Sequence, residues 1–397
     1  MRIRRIVVLL AAVMVVSAGS RAVGIERITV PKKPIRIPGL TLPLVKPDYP
    51  EIGTTNASKL TLRWHTKLVE VGAGVTTSPQ IDVDQATGLV VASSTTTNSD
   101  TGAVTSKLQA LNPRDGSIRW TLTLTTPGGS NVVQTYGLPR IGNGCVYVSP
   151  SWGALSAFDL PTGNQRWQKS VPCARVGTLT FAGDAVYGTG ADAVFAVDAK
   201  TGALRWSAFD KGTPSYPTVE GGIVYTGSAK GIYAVDAAKG TPKWNLNPVS
   251  ARATSPVVKD TRVFWLANGM LYAYDAATHA ILWKKPVPTG FYGDSPVTAG
   301  EYVYVCPGDN KVYAFDTSTG DQKWSADTPY ASAPTPMPLI NGALFVPGSK
   351  VYALDAHTGA SLWTYEGSAN LFNSLAAMGQ SMVFGVCRGE VYAFTVK

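Results

Sequence analysis

Side chains able to do covalent or metal chemistry are sparse in this 397-residue sequence, and their spacing limits what they could share. No two of the four cysteines (Cys145, Cys173, Cys306, Cys387) are adjacent, and their spacings suggest no disulfide framework. Buried thiols are the expectation, with a bridge as the alternative. The histidines His65, His279 and His357 are far apart and show no metal-ligand pattern. Asp82-Val83-Asp84-Gln85-Ala86-Thr87-Gly88 resembles a piece of a calcium loop, but it lacks the later acidic ligand and reads as a simple turn. Trp152 and Trp265 could stack on a flat ligand, although such large aromatic surfaces more often fill a core. No arrangement of Ser, His and Asp suggests a nucleophilic triad.

Composition describes the elements that would have to carry such residues. Forty Gly, 27 Pro, 15% charged and 45% apolar residues suit many short strands and tight turns. The net charge of +9 is concentrated at one end. Residues 1–50 hold nine Lys/Arg and two Asp/Glu, so the other 347 carry about +2 (26 minus 24). A nucleic-acid binder needs a basic face on its folded domain, which argues against a nucleic-acid partner.

Arg2, Arg4 and Arg5 precede an apolar run, residues 6–16, and the small residues Val16-Ser17-Ala18. This reads as a secretory signal over 1–18, with an uncleaved anchor as the alternative. The run is well short of the roughly 20 residues that span a bilayer. No Cys follows to support a lipid anchor, and Arg4-Arg5 is only a hint of twin-arginine export. Residues 19–58 contain Pro31, Pro34, Pro38, Pro43, Pro47 and Pro50, and read as an extended, basic linker. Its Lys32, Lys33, Arg36 and Lys46 could touch a membrane surface or cell-wall polymer. A solubilised tether is the simpler expectation, placing the protein in the periplasm or outside the cell.

From residue 59 to 397 one pattern dominates: Ala-x-Asp-x-x-Thr-Gly-x-x-x-Trp. It is clear at Ala196-Val197-Asp198…Thr201-Gly202…Trp206 and at Ala353-Leu354-Asp355…Thr358-Gly359…Trp363. It recurs at Ala157…Trp167 and Ala314…Trp324, and with changes at Ala110…Trp120, Ala234…Trp244 and Ala273…Trp283. Successive Trp separations are 47, 39, 38, 39, 41 and 39 residues, about the length of one four-stranded propeller blade. The run before Asp reads as a strand buried on both faces. Asp closes an Asx-type turn, Gly supplies the positive φ of that turn, and Trp docks its surface against the next blade. Asn112 replaces Asp, Lys239 replaces Thr, and His279 replaces Gly.

The two ends are complementary. The sequence stops at Glu390-Val391-Tyr392-Ala393-Phe394-Thr395-Val396-Lys397, a third strand with no turn or fourth strand after it. Leu60-Thr61-Leu62-Arg63-Trp64 is a fourth strand with no blade before it. Pairing the two completes one blade and removes two open edges. The expected fold is all-β: an eight-bladed β-propeller of four-stranded antiparallel blades, closed by pairing of the N- and C-terminal strands. The 56 residues from Trp64 to Trp120 indicate an insertion, placed at residues 93–106 as a long hairpin or mobile loop.

These motifs resemble the pyrroloquinoline-quinone (PQQ) propeller repeat. The resemblance implies either a quinoprotein dehydrogenase or a cofactor-free propeller similar to BamB, the scaffold of outer-membrane barrel assembly. Family dehydrogenases carry a vicinal Cys pair, a calcium site, an Asp base and large insertions. Here no Cys pair exists, and acidic residues in the loops joining fourth to first strands are few: Glu70, Asp210, Asp294, Asp327 and Glu366. The expectation is therefore a monomeric, non-catalytic envelope scaffold without cofactor, holding a protein or peptide partner. The alternative is a PQQ- and calcium-dependent oxidoreductase acting on alcohols or sugars. The loop face carries Arg175, Arg252, Phe291, Tyr292, Asp294 and Tyr330, aromatic and charged types that anchor interfaces. Ordinary solvated loops are the bland reading of the same residues.

Overall fold

A computed structural model of the chain describes residues 49–69, 75–77, 80–98, 104–124, 138–151, 153–173, 176–190, 193–209, 215–228, 230–246, 254–288, 295–329, 337–367 and 372–397. Residues 1–18, expected to be a secretory signal, and most of the expected linker therefore lie outside the described residues. So does Trp152.

Eight separate antiparallel sheets follow one another along the chain. Blades 1 to 7 occupy residues 75–124, 140–170, 176–209, 218–246, 257–286, 297–327 and 339–365. Blade 8 takes three strands from residues 374–396 and its fourth, Leu60–Lys67, from the other end of the chain. First strands of successive blades lie side by side, so they ring the axis and the Trp-bearing fourth strands face outward. Second and third strands are almost wholly buried, as in Ala185–Gly190 and Ala193–Asp198. Each is pressed between two blades, and this explains their continuous apolar character.

The insertion in blade 1 is a hairpin. Val90–Asn98 and Val104–Leu111 pair from Val90↔Leu111 to Thr97↔Val104, and Val75–Thr77 pairs with the far end of the former. Asp84, Thr87 and Gly88 form a second Asp-x-x-Thr-Gly turn, here between the first two strands of the blade. The Asp84 carboxylate accepts from the Thr87 N–H (2.9 Å) and hydroxyl (2.5 Å). The turn reading therefore holds from Asp84 to Gly88, while Asp82 lies in the preceding strand.

Trp docking repeats with one geometry. In five of the intact blades the indole Nε1–H donates to the carbonyl of the residue just after the turn Asp of the next blade. The pairs are Trp120 to Leu160 (2.9 Å), Trp167 to Ala199 (3.1 Å), Trp206 to Ala237 (2.9 Å), Trp283 to Thr317 (3.1 Å) and Trp324 to Ala356 (3.1 Å). The indole lies on the turn glycine. A Cβ on Gly202, whose φ is +71°, would come within 2.6 Å of the Trp167 ring. Position 279 is the exception, where His adopts φ +64° and packs its ring against Trp244 at 4.7 Å between centroids.

The closing blade repeats this geometry with chain from both termini. Leu60↔Val396 through Lys67↔Glu390 are in register, with a bulge between Leu62 and Trp64 that sets Trp64 opposite Ala393. The intact blades have the same bulge, which sets Trp206 opposite Ala196. Trp64 then donates to the Pro113 carbonyl of blade 1 (2.9 Å), so the exchanged strand docks on its neighbour as those of the intact blades do.

Blade 8 has no turn for Trp363 to meet, and a segment assigned to the linker takes its place. In intact blades the residue after Asp donates its N–H to the first hairpin of its own blade, as Ala199 does to Asp184 (2.9 Å). In blade 8 the Ile52 N–H donates to Gln380 at that position (2.6 Å), while the Ile52 carbonyl accepts from Asn341 Nδ2 of blade 7 (2.9 Å). Ile52 and Ala57 are fully buried among Leu60, Phe345, Phe372 and Phe394, with Trp363 packed against the group. Residues 57–59 form a short 3-10 turn leading into the strand. The packed propeller therefore begins by Ile52, earlier than the linker boundary at 58, because the ring needs a substitute for the missing turn.

Two mutational outcomes follow. Ile52→Ala should cost about 2–5 kcal/mol of unfolding free energy in urea, the range for a truncated core side chain. A loss below about 0.5 kcal/mol, the size expected of a surface change, would show the segment to be passive. Trp283→Phe should cost more than Trp206→Phe. The Ala237 carbonyl also accepts from Tyr187 Oη (3.3 Å), whereas Phe264 fills the equivalent place in blade 5 and leaves Thr317 without that second donor. Equal losses would contradict this reading.

Candidate interaction surface

The ring has two unlike faces. One carries the Asp turns, whose polar groups are largely taken up by structure. Asp198 Oδ1 accepts from the N–H of Lys200 (3.1 Å) and Thr201 (2.9 Å) and from the Thr201 hydroxyl (2.8 Å). Its Oδ2 pairs with Arg205 (2.7 Å), which also reaches Asp184 (2.8 Å). Arg166–Asp159, Lys243–Asp236 and Lys323–Asp316 repeat the arrangement. The Arg205 and Thr201 bonds hold the Asp198 carboxyl down at about 2. Asp236, Asp275 and Asp316 are lowered chiefly by backbone N–H groups of their own turns. These are acceptors closing turns, not acids or bases awaiting a substrate.

The opposite face carries the loops that join fourth strands to first strands. Four of these loops start from a pinned base. Leu68 donates to Gly389, Val171 to Gly153, Val287 to Gly269 and Thr328 to Asn310, all at 2.8 Å. Charges on the described rim pair across strands: Lys311 with Asp327 (3.4 Å) and Lys350 with Glu366 (2.5 Å). Tyr313 donates to Asp309 (2.5 Å), and burial together with this carboxylate pushes its hydroxyl up to about 12. The face is thus a set of fixed platforms bearing variable loops, the usual place for recognition.

All six residues predicted for that face, Arg175, Arg252, Phe291, Tyr292, Asp294 and Tyr330, lie outside the described residues, as do Glu70 and Asp210. Trp265 is wholly buried, and its indole donates to Thr254 (3.0 Å) in a core shared with Tyr225 and Tyr272. The three histidines sit on different blades, beside Tyr392, Trp244 and Tyr302. All four cysteines are thiols, with Cys145, Cys306 and Cys387 buried and Cys173 half-buried. Among the described residues there is no group of three His, Cys, Asp or Glu that could hold a metal ion.

Sequence reasoning took Asp82 for part of a simple turn. Its carboxylate is buried and bridges two blades, accepting from the Val83 N–H (2.9 Å) and from the Ile141 N–H of blade 2 (3.0 Å). Burial raises its pKa, while Arg140 works in the other direction. Gln85 likewise ties blade 1 to blade 8, donating to Ala377 and accepting from the Gly379 N–H, each at 2.8 Å. The partners are 59 and nearly 300 residues away, so no local pattern could have revealed either contact.

Fold and site together define a tryptophan-docked eight-bladed propeller with a structural turn face and an opposite face that carries the connecting loops. A sequence model described as outer membrane protein assembly factor BamB matches residues 41–208, 153–255 and 228–397, and the chain belongs to this family. Relatives of that name are 25% identical over 293 residues in Yersinia pestis and 24% over 257 in Moranella endobia. These matches cover 72% and 57% of this chain, but only 56% and 66% of the two relatives' lengths. BamB from Moraxella catarrhalis superposes with a TM-score of 0.61 at 18% identity, covering 85% of this chain and 98% of that one. A europium-containing methanol dehydrogenase superposes equally well (TM-score 0.63, 13% identity, 87% and 94% covered), so likeness of fold alone does not separate scaffold from enzyme. No helix among the described residues is long and apolar enough to cross a membrane.

The lowered turn carboxylates make acid stability a direct test. Their folded pKa lies below the unfolded value of about 3.9, so their contribution is complete above that pH and fades as pH falls towards about 2. Unfolding midpoints should therefore drop steeply between pH 4 and pH 2, and Asp198→Asn should flatten part of that drop. An unchanged slope in the variant would show that Asp198 titrates alike in both states.

Proposed function

We propose that this chain is an exported, non-catalytic propeller that holds a protein or extended peptide in the cell envelope. The observation that carries the reading is the family match, which runs through all eight blades and whose named members are assembly factors. Two physical features support it. The Asp, Thr and Arg side chains of the turn face are engaged in turn closure and ion pairs. The other face sets loops on pinned platforms, where Arg175, Arg252, Phe291, Tyr292, Asp294 and Tyr330 supply residue types favoured at interface centres. Arg2, Arg4 and Arg5 with the apolar run support export, and the basic linker would hold the propeller near an anionic surface.

Capture from envelope extracts with the full chain should retain a discrete protein partner. Arg252→Ala combined with Tyr292→Ala should weaken that capture on the order of tenfold or more, the scale of one or two interface anchors. Retention of every partner at wild-type level would place binding elsewhere. PQQ with calcium should leave the unfolding midpoint unmoved; a saturable rise accompanied by dye reduction would replace the scaffold reading with an enzymatic one.

A further inference from the structure

The residue that the bulge skips in each fourth strand, just before Trp, sets blade 5 apart. Six of the eight are basic: Arg63, Arg119, Arg166, Arg205, Lys243 and Lys323. Four of these pair with the turn Asp of their own blade: Arg166 with Asp159, Arg205 with Asp198, Lys243 with Asp236 and Lys323 with Asp316. Blades 5 and 7 have leucine there instead, Leu282 and Leu362. Leu362 is half-buried and packs against the core group that contains Ile52 and Ala57. The 3-10 turn at 57–59 lies against its strand, Ser361–Tyr365. In blade 7, then, leucine goes with a segment of extra chain laid beside the outer strand.

Leu282 has no such cover among the described residues. It is 46% exposed, and its neighbour Ile281 is 50% exposed. The other exposed large apolar residues among those described, Ile118, Leu204 and Leu339, stand singly, and Ile118 and Leu204 each precede a basic residue. Single exposed apolar residues are ordinary, whereas an adjacent pair on one strand gains by being covered. The pair sits on a rigid support, since Trp283 is buried and donates to Thr317 of blade 6 (3.1 Å). Lys284 follows, exposed, and Lys285 pairs with Asp321 (3.0 Å). The strand thus offers two apolar side chains and then positive charge, and that order selects the occupant. A second copy of this chain, paired antiparallel about Trp283, would bring four lysines together and oppose Lys to Leu or Ile. The chain's own residues 19–48 hold six Lys/Arg and two Asp/Glu, and would meet the same repulsion.

We propose that the outer strand of blade 5 docks an extended segment of a protein partner that carries a large apolar side chain with acidic residues beside it. The apolar side chain covers Ile281 and Leu282, and the acidic residues face Lys284 and Lys285. Packing then supplies affinity, and charge sets the direction of the segment along the strand. The site lies on the outer wall of the ring, apart from the loop face, and does not rest on the proposed function.

Selection of phage-displayed random peptides on the immobilised full chain tests this. Enriched peptides should combine Leu, Ile, Phe or Trp with neighbouring Asp or Glu. Leu282→Arg is the informative variant, because it places the residue type of blades 1 to 3 near Asp275 and should fold with an unfolding midpoint no lower than wild type. It should weaken binding of the enriched peptides on the order of tenfold or more. Lys284→Glu should weaken it too, and a peptide whose acidic residues are replaced by Lys should regain binding to that variant. Arg252→Ala with Tyr292→Ala should leave binding unchanged, which separates this site from the loop face. The proposal is overturned if no peptide is enriched, if every enriched peptide binds Leu282→Arg as well as wild type, or if the chain forms a dimer that Leu282→Arg dissolves.

Discussion

One hydrogen bond, repeated at six of the eight blade junctions, organises this molecule: an indole N–H on the rim of one blade donates to a carbonyl at the turn of the next. The bond is worth about 1 kcal/mol by itself, yet it fixes the angle at which a large flat ring covers its neighbour. That ring requires a turn with no side chain beneath it, and so a glycine at that place. The turn in turn requires an acceptor to hold its N–H groups, and so an Asp. Trp, Gly and Asp are thus three consequences of a single docking geometry. Tyr147, Tyr187 and Tyr304 reinforce it by donating their hydroxyls to the carbonyls already holding Trp167, Trp206 and Trp324.

A docking rule of this kind propagates until the ring must end, and the ends reveal what it demands. The fourth strand of blade 8 can come from the opposite terminus, since strand pairing needs only register and edge. A turn cannot be split in the same way, because its function depends on chain continuity. The solution is to let Ile52 and the following 3-10 turn occupy the place, reproducing one backbone donor and one acceptor of an ordinary turn. His279 shows a milder accommodation. It accepts a left-handed backbone, and its ring covers Trp244 from the position where other blades leave the indole against a bare glycine.

Legibility in the sequence followed the same division. The blade count, the strand exchange and the hairpin of blade 1 could all be read, because they depend on repeating spacing and on its interruption. The closing role of Ile52 could not, since a single apolar residue among prolines carries no periodicity and its partners, Asn341 and Gln380, are some 300 positions away. Asp82 misled for a related reason: turn-like neighbours on both sides disguised a carboxylate that spans two blades. Trp265, outside the repeat, could be placed only as core or ligand platform until Thr254 was seen to accept its N–H. The loop residues chosen as an interface rest on residue type alone, and that is why they stand as a proposal.

The account depends above all on the seam between the two ends of the chain. Thr61 and Thr395 are direct partners across it. Cysteines placed at both positions would have Cβ atoms about 4.5–5.5 Å apart, close enough to bridge with a small adjustment. Mild oxidation of Thr61→Cys, Thr395→Cys, followed by peptide mass analysis, should give one cross-linked species joining the two terminal strands, with a raised unfolding midpoint. Failure of the pair to bridge in the folded protein, or bridging only after denaturation, would contradict closure of the ring by these strands.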